Sequence, residues 1–172
     1  MRYTRKDKEY MGIALEQARF ALERGDFPVG AVITIGGKII SANCNGNNTV
    51  DKYTEHAEAR ALDNFSGAIK RSKKGGMEAA LFTTLEPCLM CLGTAVMTRI
   101  KRIVYACPDP NGGATSMKKE ELGEWYTKKW PIIEQGLLRD EAYEIVLEGM
   151  KRDSPRWDRI RKMFEDMASK WD

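Results

Sequence analysis

His56 is the only histidine in the chain, and it stands in the run His56-Ala57-Glu58 where an alanine-rich helical pattern begins. Thirty-two residues later, Pro87-Cys88-Leu89-Met90-Cys91 opens a second helical pattern. A lone histidine is ordinarily a surface or core side chain. The two cysteines change that reading, because a spacing of i and i+3 sets both sulfurs on one face of a helix at its N-terminal end. The partial positive charge of a helix start favours thiolate, the form that binds metal. Pro87 lacks an N–H and closes the preceding loop without orphaning a donor. Any fold built on these residues must bring two helix starts together.

One imidazole and two thiolates suit zinc, whose catalytic sites take three protein ligands and leave the fourth tetrahedral position to water. Zinc lowers the pKa of that water from 15.7 to about 7. Glu58 lies about 200° around a helix from His56, so it is not placed to chelate beside it. At a first helical turn it instead faces the water, where a carboxylate can relay protons. Two other readings compete. A redox Cys-x-x-Cys pair needs no histidine, and a closed structural zinc site requires a fourth ligand such as Cys44 or Cys107. Both of those cysteines sit at predicted strand ends, where a cysteine commonly serves as small buried filler. The open hydrolytic site alone explains Glu58 and Pro87.

The rest of the composition frames this site. A chain of 172 residues suits one domain over residues 1–172, with 42% hydrophobic and 31% charged residues, an ordinary globular balance. The N-terminus has positive charge but no apolar segment of a signal peptide, and no apolar run reaches the roughly 20 residues a membrane span needs. Four cysteines in such a chain point to reduced thiols and a cytoplasmic location. The net charge of +3 is too small to argue for nucleic acid. The densest basic run, Lys70-Arg71-Ser72-Lys73-Lys74 before Gly75-Gly76, reads as a solvated loop.

Along the chain, Thr4 and Asp7 form a capping-box pattern. Met11, Ala14, Leu15, Ala18 and Leu22 then recur at helical spacing before Gly25 supplies a stop. Residues 29–35 and 38–42 are β-rich runs split by Gly36-Gly37, a tight-hairpin signature. A polar loop over 43–53 leads to a helix over 55–65. Strands follow at 80–84 and 102–106, with a helix at 88–97 between them. Strands alternating with helices imply an α/β sandwich. The run PDPNGGATS is a loop, Asp140 is placed to cap a helix to Glu148, and Ser154-Pro155 has the pattern of a further helix start. Trp157, Ile160, Phe164, Met167 and Trp171 then make one apolar stripe that packs on the domain.

The phrases His-Ala-Glu and Pro-Cys-x-x-Cys together resemble the cytidine deaminase-like zinc deaminases. The likeness extends through Pro28-Val29-Gly30-Ala31-Val32, TLEPCLMCLGTAV and PIIEQGLLRDEAYEIVL, over roughly residues 5–150. It is strongest toward the branch holding tRNA adenosine deaminase, guanine deaminase and yeast-type cytosine deaminase. The resemblance implies a three-layer α/β/α sandwich around a five-stranded mixed sheet, a homodimer, and hydrolysis of an exocyclic amine to a carbonyl. It assigns His56, Cys88 and Cys91 to Zn2+ and Glu58 to proton transfer. Asn45 becomes a substrate hydrogen-bonding residue, though an Asn-Gly turn residue is the other reading. The Ala57 backbone becomes a donor to the base, Phe27 and Val29 walls of the ring pocket, and Asp109 a further pocket residue.

Substrate choice turns on where the chain departs from that pattern. Lys52-Tyr53-Thr54-Glu55 stands where the tRNA enzymes usually have Asp-Pro-Thr-Ala, and Pro108-Asp109 lacks their arginine. Residues 151–172 add a helical segment with seven basic and five acidic side chains, placed to cover the active site. A lid that excludes water favours a small substrate, so a free nucleobase or nucleoside of guanine or cytosine type is expected first. Adenosine in a tRNA anticodon loop is the alternative, and a non-catalytic zinc module that binds RNA is the alternative of another class.

Overall fold

The computed structural model describes residues 2–152 and 154–171, with Lys73 and Lys74 described by backbone alone. The first helix, α1 (Arg5–Glu23), starts on the expected capping box: Thr4 Oγ1 accepts from the Asp7 N–H, and the Asp7 carboxylate accepts from Thr4 N at 2.9 Å. Its apolar face, including Met11, Ala14, Leu15 and Ala18, is buried. Gly30 begins β1 (Gly30–Ile35) against this helix, where a Cβ would lie 2.0 Å from the Ala14 carbonyl oxygen. Only glycine lets strand and helix approach this closely. Gly36 and Gly37, with φ of 56° and 74°, turn the chain into β2 (Lys38–Cys44). Positive φ at both central residues is the hairpin geometry that matches strand twist.

A one-turn helix α2 (Asn47–Val50) interrupts the expected polar loop. Next come α3 (Ala57–Asp63), α4 (Ser66–Lys74), β3 (Ala79–Leu85), α5 (Leu89–Thr98) and β4 (Arg102–Cys107). The basic run is therefore not a loop: it forms the second half of α4, which buries Ile69 and Ser72 and keeps Lys70 and Arg71 outside. Its charges obscured an apolar spacing too sparse to read from sequence.

After the 108–116 loop come α6 (Glu124–Thr127), β5 (Ile132–Gln135), α7 (Arg139–Arg152) and α8 (Asp158–Ala168). Two expected helix starts shift. Asp140 lies inside the first turn of α7 rather than capping it, and α8 begins at Asp158 with Trp157 as its N-cap. Ser154 Oγ donates to the Asp158 carboxylate at 2.8 Å, and the N-cap position falls to Trp157.

The sheet order is β2-β1-β3-β4-β5. β1 runs antiparallel to both neighbours, while β3, β4 and β5 are parallel. Helices α1 and α7 pack on one face, and α3 and α5 pair on the other. This three-layer mixed sheet is the expected architecture. Every residue of β1 is buried, as a strand covered on both sides requires. The stripe along and beside α8 joins the core: Phe164 is buried, and Trp157, Ile160, Met167 and Trp171 are partly buried against the core cluster. Among the described residues no helix is long and apolar enough to cross a membrane.

Candidate metal centre and pocket

Two helix starts do converge. His56 is the N-cap of α3 with ψ of 149°, and Cys88 is the N-cap of α5 with ψ of 171°, so both lie on extended backbone just outside their helices. Cys91 is the N3 residue of α5, one turn in, which brings both sulfurs to the same end. His56 Nδ1 lies 3.5 Å from Cys88 Sγ and 3.6 Å from Cys91 Sγ. With Zn–S of ~2.3 Å and Zn–N of ~2.05 Å, tetrahedral geometry demands an N···S separation of about 3.6 Å. The cradle fits zinc. Among the described residues this is the one group of histidine, cysteine and acidic side chains with ligand atoms gathered tightly, within 4.8 Å.

The electrostatics agree with a cation site. A hydrogen bond from Cys91, and then one from His56, holds the Cys88 thiol down at about 4. The same contact with Cys88, together with burial, pushes Cys91 up. The contact with Cys88 raises His56. A dication held by these three side chains would supply the positive charge that favours the thiolate form of both cysteines.

Glu58 is 3% exposed, and its Oε2 lies 3.6 Å from Cys91 Sγ. Burial raises its pKa above the usual carboxylate value. The 200° separation expected from His56 does not arise, because His56 precedes the helix and only Glu58 follows helical geometry. Cys44 and Cys107 stay outside the group. Cys44 Sγ lies 4.0 Å from Arg24 Nη1, and burial pushes the Cys107 thiol up to about 12. The closed four-ligand site therefore has no fourth cysteine.

These residues open onto a cleft of about 880 Å³ lined by Phe27, Val29, Asn45, Ala57 and Asp109, along with His56, Glu58 and Cys88. Every sequence-proposed residue except the deeply buried Cys91 thus lines one cavity. Asn45 is buried at the cleft, and its Oδ1 accepts from Asn47 N at 3.1 Å, which is the turn reading. Ala57 N–H, at the first position of α3, has no helical acceptor. Val29 serves both core and cavity, and its carbonyl accepts from Asn45 N at 2.9 Å. Phe27 stacks on Trp157 with ring centroids 4.9 Å apart. Asp109 Oδ1 accepts from Asn111 N and Gly112 N, while burial raises its pKa.

Several residues of the cleft escaped sequence reasoning. The 151–172 segment was expected over the site, but not which side chains face it: Trp157, the N-cap of α8, and Ile160 and Phe164 within it line the cleft, although their spacing signals only core. Asp26 accepts from Asn48 N at 2.8 Å and Thr49 N at 3.0 Å, fixing α2 at the mouth, and no spacing links residues 26 and 48. Tyr53 is 93% exposed on the rim beside Lys52.

Fold and site together define a zinc-dependent hydrolytic deaminase. Residues 4–107 match the family described as cytidine and deoxycytidylate deaminase zinc-binding region, and the chain belongs to that family. It is 34% identical over 137 residues to the tRNA-specific adenosine deaminase of Bacillus subtilis, covering 80% of this chain and 84% of that one. A solved structure from work on tRNA:A34 deaminases is 32% identical with a TM-score of 0.61, covering 80% of this chain and 98% of that one. Guanine deaminase from Nitrosomonas europaea, 22% identical with a TM-score of 0.68 over 83% of each chain, shares the fold.

Proposed function

We propose that this chain deaminates adenosine in RNA, converting it to inosine at a tRNA wobble position. The observation that carries this reading is the identity of 34% running through 84% of a tRNA-specific adenosine deaminase. The rim supports it. A fully exposed tyrosine beside a lysine is a stacking surface with a cation, suited to nucleotides flanking a base that has left its stack. The sequence-based preference for a free guanine or cytosine gains no such support from relatives of comparable identity.

His56, Cys88 and Cys91 would hold zinc, which supplies a Lewis acid that brings the ionisation of water from 15.7 to about 7. Glu58 accepts the proton of the attacking water and delivers it to the adjacent ring nitrogen. A second proton passes through the same carboxylate to the amine; the carbon–nitrogen bond breaks, ammonia leaves and a carbonyl remains. Raised by burial, Glu58 is tuned to both accept and return a proton. Asn45 Nδ2 and Ala57 N–H hold the base edge, and Phe27 and Val29 flank the ring.

A second reading, a free nucleobase, is favoured by one observation: Trp157, the N-cap of α8, and Ile160 within it wall the cleft. An ammonia-release assay separates the two. A hairpin RNA with adenosine at the first anticodon position is expected to react with the highest kcat/KM, against guanine, cytosine and their nucleosides. Turnover of guanine or cytosine with an inert hairpin contradicts the RNA reading, and no ammonia from any of them leaves a binding module.

A further inference from the structure

Glu86 stands between the end of β3 and Pro87, one turn of chain from the metal ligands, and it belongs to none of the roles above. Its carboxylate serves a single loop. Oε2 accepts from Asp109 N at 3.0 Å, and Oε1 accepts from Thr115 N at 3.0 Å and from Thr115 Oγ1. The loop is also laced to the metal-ligand segment by backbone. Cys88 pairs with Gly113 in an isolated bridge, and Ala114 N donates to Pro87 O at 3.0 Å. Gly113 has no room for a side chain, because a Cβ would lie 2.4 Å from Glu86 Cδ and 2.6 Å from Asp109 O. One of the two ends held by Glu86 is Asp109 itself, whose carboxylate is oriented by Asn111 N and Gly112 N and whose side of the loop lines the cleft.

We propose that Glu86 is a positioning residue of the reaction, fixing the 108–115 loop and through it the Asp109 carboxylate against the cleft. This rests on the reading that Asp109 contacts the substrate. The requirement is for a carboxylate specifically, since each oxygen must accept. A glutamine offers one acceptor, and whichever way its amide turns, the NH2 group meets a backbone N–H at residue 109 or 115. A buried donor left unmet costs as much as the bond it replaces. One end of the loop therefore comes loose, while Cys88 and Cys91, held by α5, stay in place.

The test uses the zinc-loaded full chain, with the hairpin RNA and the free bases as substrates. For Glu86→Gln, KM is expected to rise about tenfold, the equivalent of one charge-assisted hydrogen bond, with kcat within about twofold and zinc content unchanged. Asp109→Ala is expected to raise KM similarly, and the double variant no further than Asp109→Ala alone. Independently of turnover, amide exchange at Asp109 or at Thr115, whichever end has lost its acceptor, is expected to accelerate at least about tenfold in Glu86→Gln. Wild-type KM or unchanged exchange in Glu86→Gln overturns the proposal. So does lost zinc, or a fall in kcat at constant KM, since Glu86 would then be supporting Cys88 instead. Should Glu86→Gln not fold, Thr115→Val removes the hydroxyl donor to Glu86 together with its 3.1 Å contact to the Tyr105 hydroxyl while leaving the Thr115 N–H bond in place, and a KM below about twice wild type overturns the proposal equally. A wild type inert on every substrate contradicts the deaminase substrate reading, and the exchange rates still decide whether Glu86 clamps the loop.

Discussion

At the scale of single residues, Glu58 shows how the backbone of a neighbour decides chemistry. His56 and Glu58 are two apart, yet both reach the same site because His56 stands on extended backbone outside α3. Read as one continuous helix, the pair would point in different directions. Glu58→Gln keeps the volume and removes the base. The variant is expected to retain one zinc per chain while ammonia release falls by about 10² to 10⁴, the range for losing a positioned general base. Metal analysis alongside the ammonia assay checks both halves, and full activity contradicts the role. The three ligands were legible in sequence because zinc chemistry restricts residue type and spacing so tightly. Glu86 had no role legible in sequence beyond its place in the TLEPCLMCLGTAV phrase, since its partners at 109 and 115 are joined by folding alone.

At the scale of elements, local signals and long-range packing divide the outcome. The N-terminus of α1 was readable because the Thr4–Asp7 box is contained in four residues. Asp7 has a second function that no local pattern reveals: it accepts from Arg102 of β4 at 2.6 Å, tying the helix start to the sheet. Burial alone raises its pKa, but the hydrogen bonds from Arg102 and Thr4 outweigh that, and the carboxyl titrates below its usual value. A depressed folded pKa contributes stability above the unfolded value, and that contribution is lost as pH falls through the folded one. Asp7→Asn is therefore expected to cost about 2 kcal/mol at pH 7, from a lost cap bond and a lost charged bond. The gap to wild type is expected to close below about pH 3.9, as urea unfolding at several pH values measures. A gap constant from pH 7 to pH 2 contradicts this. In α4 and α8 the sequence misled for opposite reasons. Lys70 and Arg71 drew attention from the buried Ile69, and Ser154-Pro155 gave a good start signal three residues before the helix begins.

At the scale of the whole molecule, the sheet order explains why the site exists. Parallel β3 and β4 carry α5 between them, so the Cys88 end of α5 emerges at the strand ends. The β1–β2 hairpin delivers Asn45 and the α3 start to the same edge. Alternation of strands and helices announced a layered α/β fold. The 151–172 segment was expected over the active site, and α8 does line the cleft; which of its residues would do so was not legible, because a stripe that packs on a core and a stripe that lines a cavity are the same pattern in sequence.

The account depends on three side chains gripping one zinc with a fourth position left to water. Zinc-edge X-ray absorption on the purified chain tests this directly. One zinc per chain is expected, with two sulfurs at about 2.3 Å and only nitrogen or oxygen scatterers at about 2.0–2.1 Å besides. A third sulfur in the shell, or no tightly held zinc at all, contradicts it.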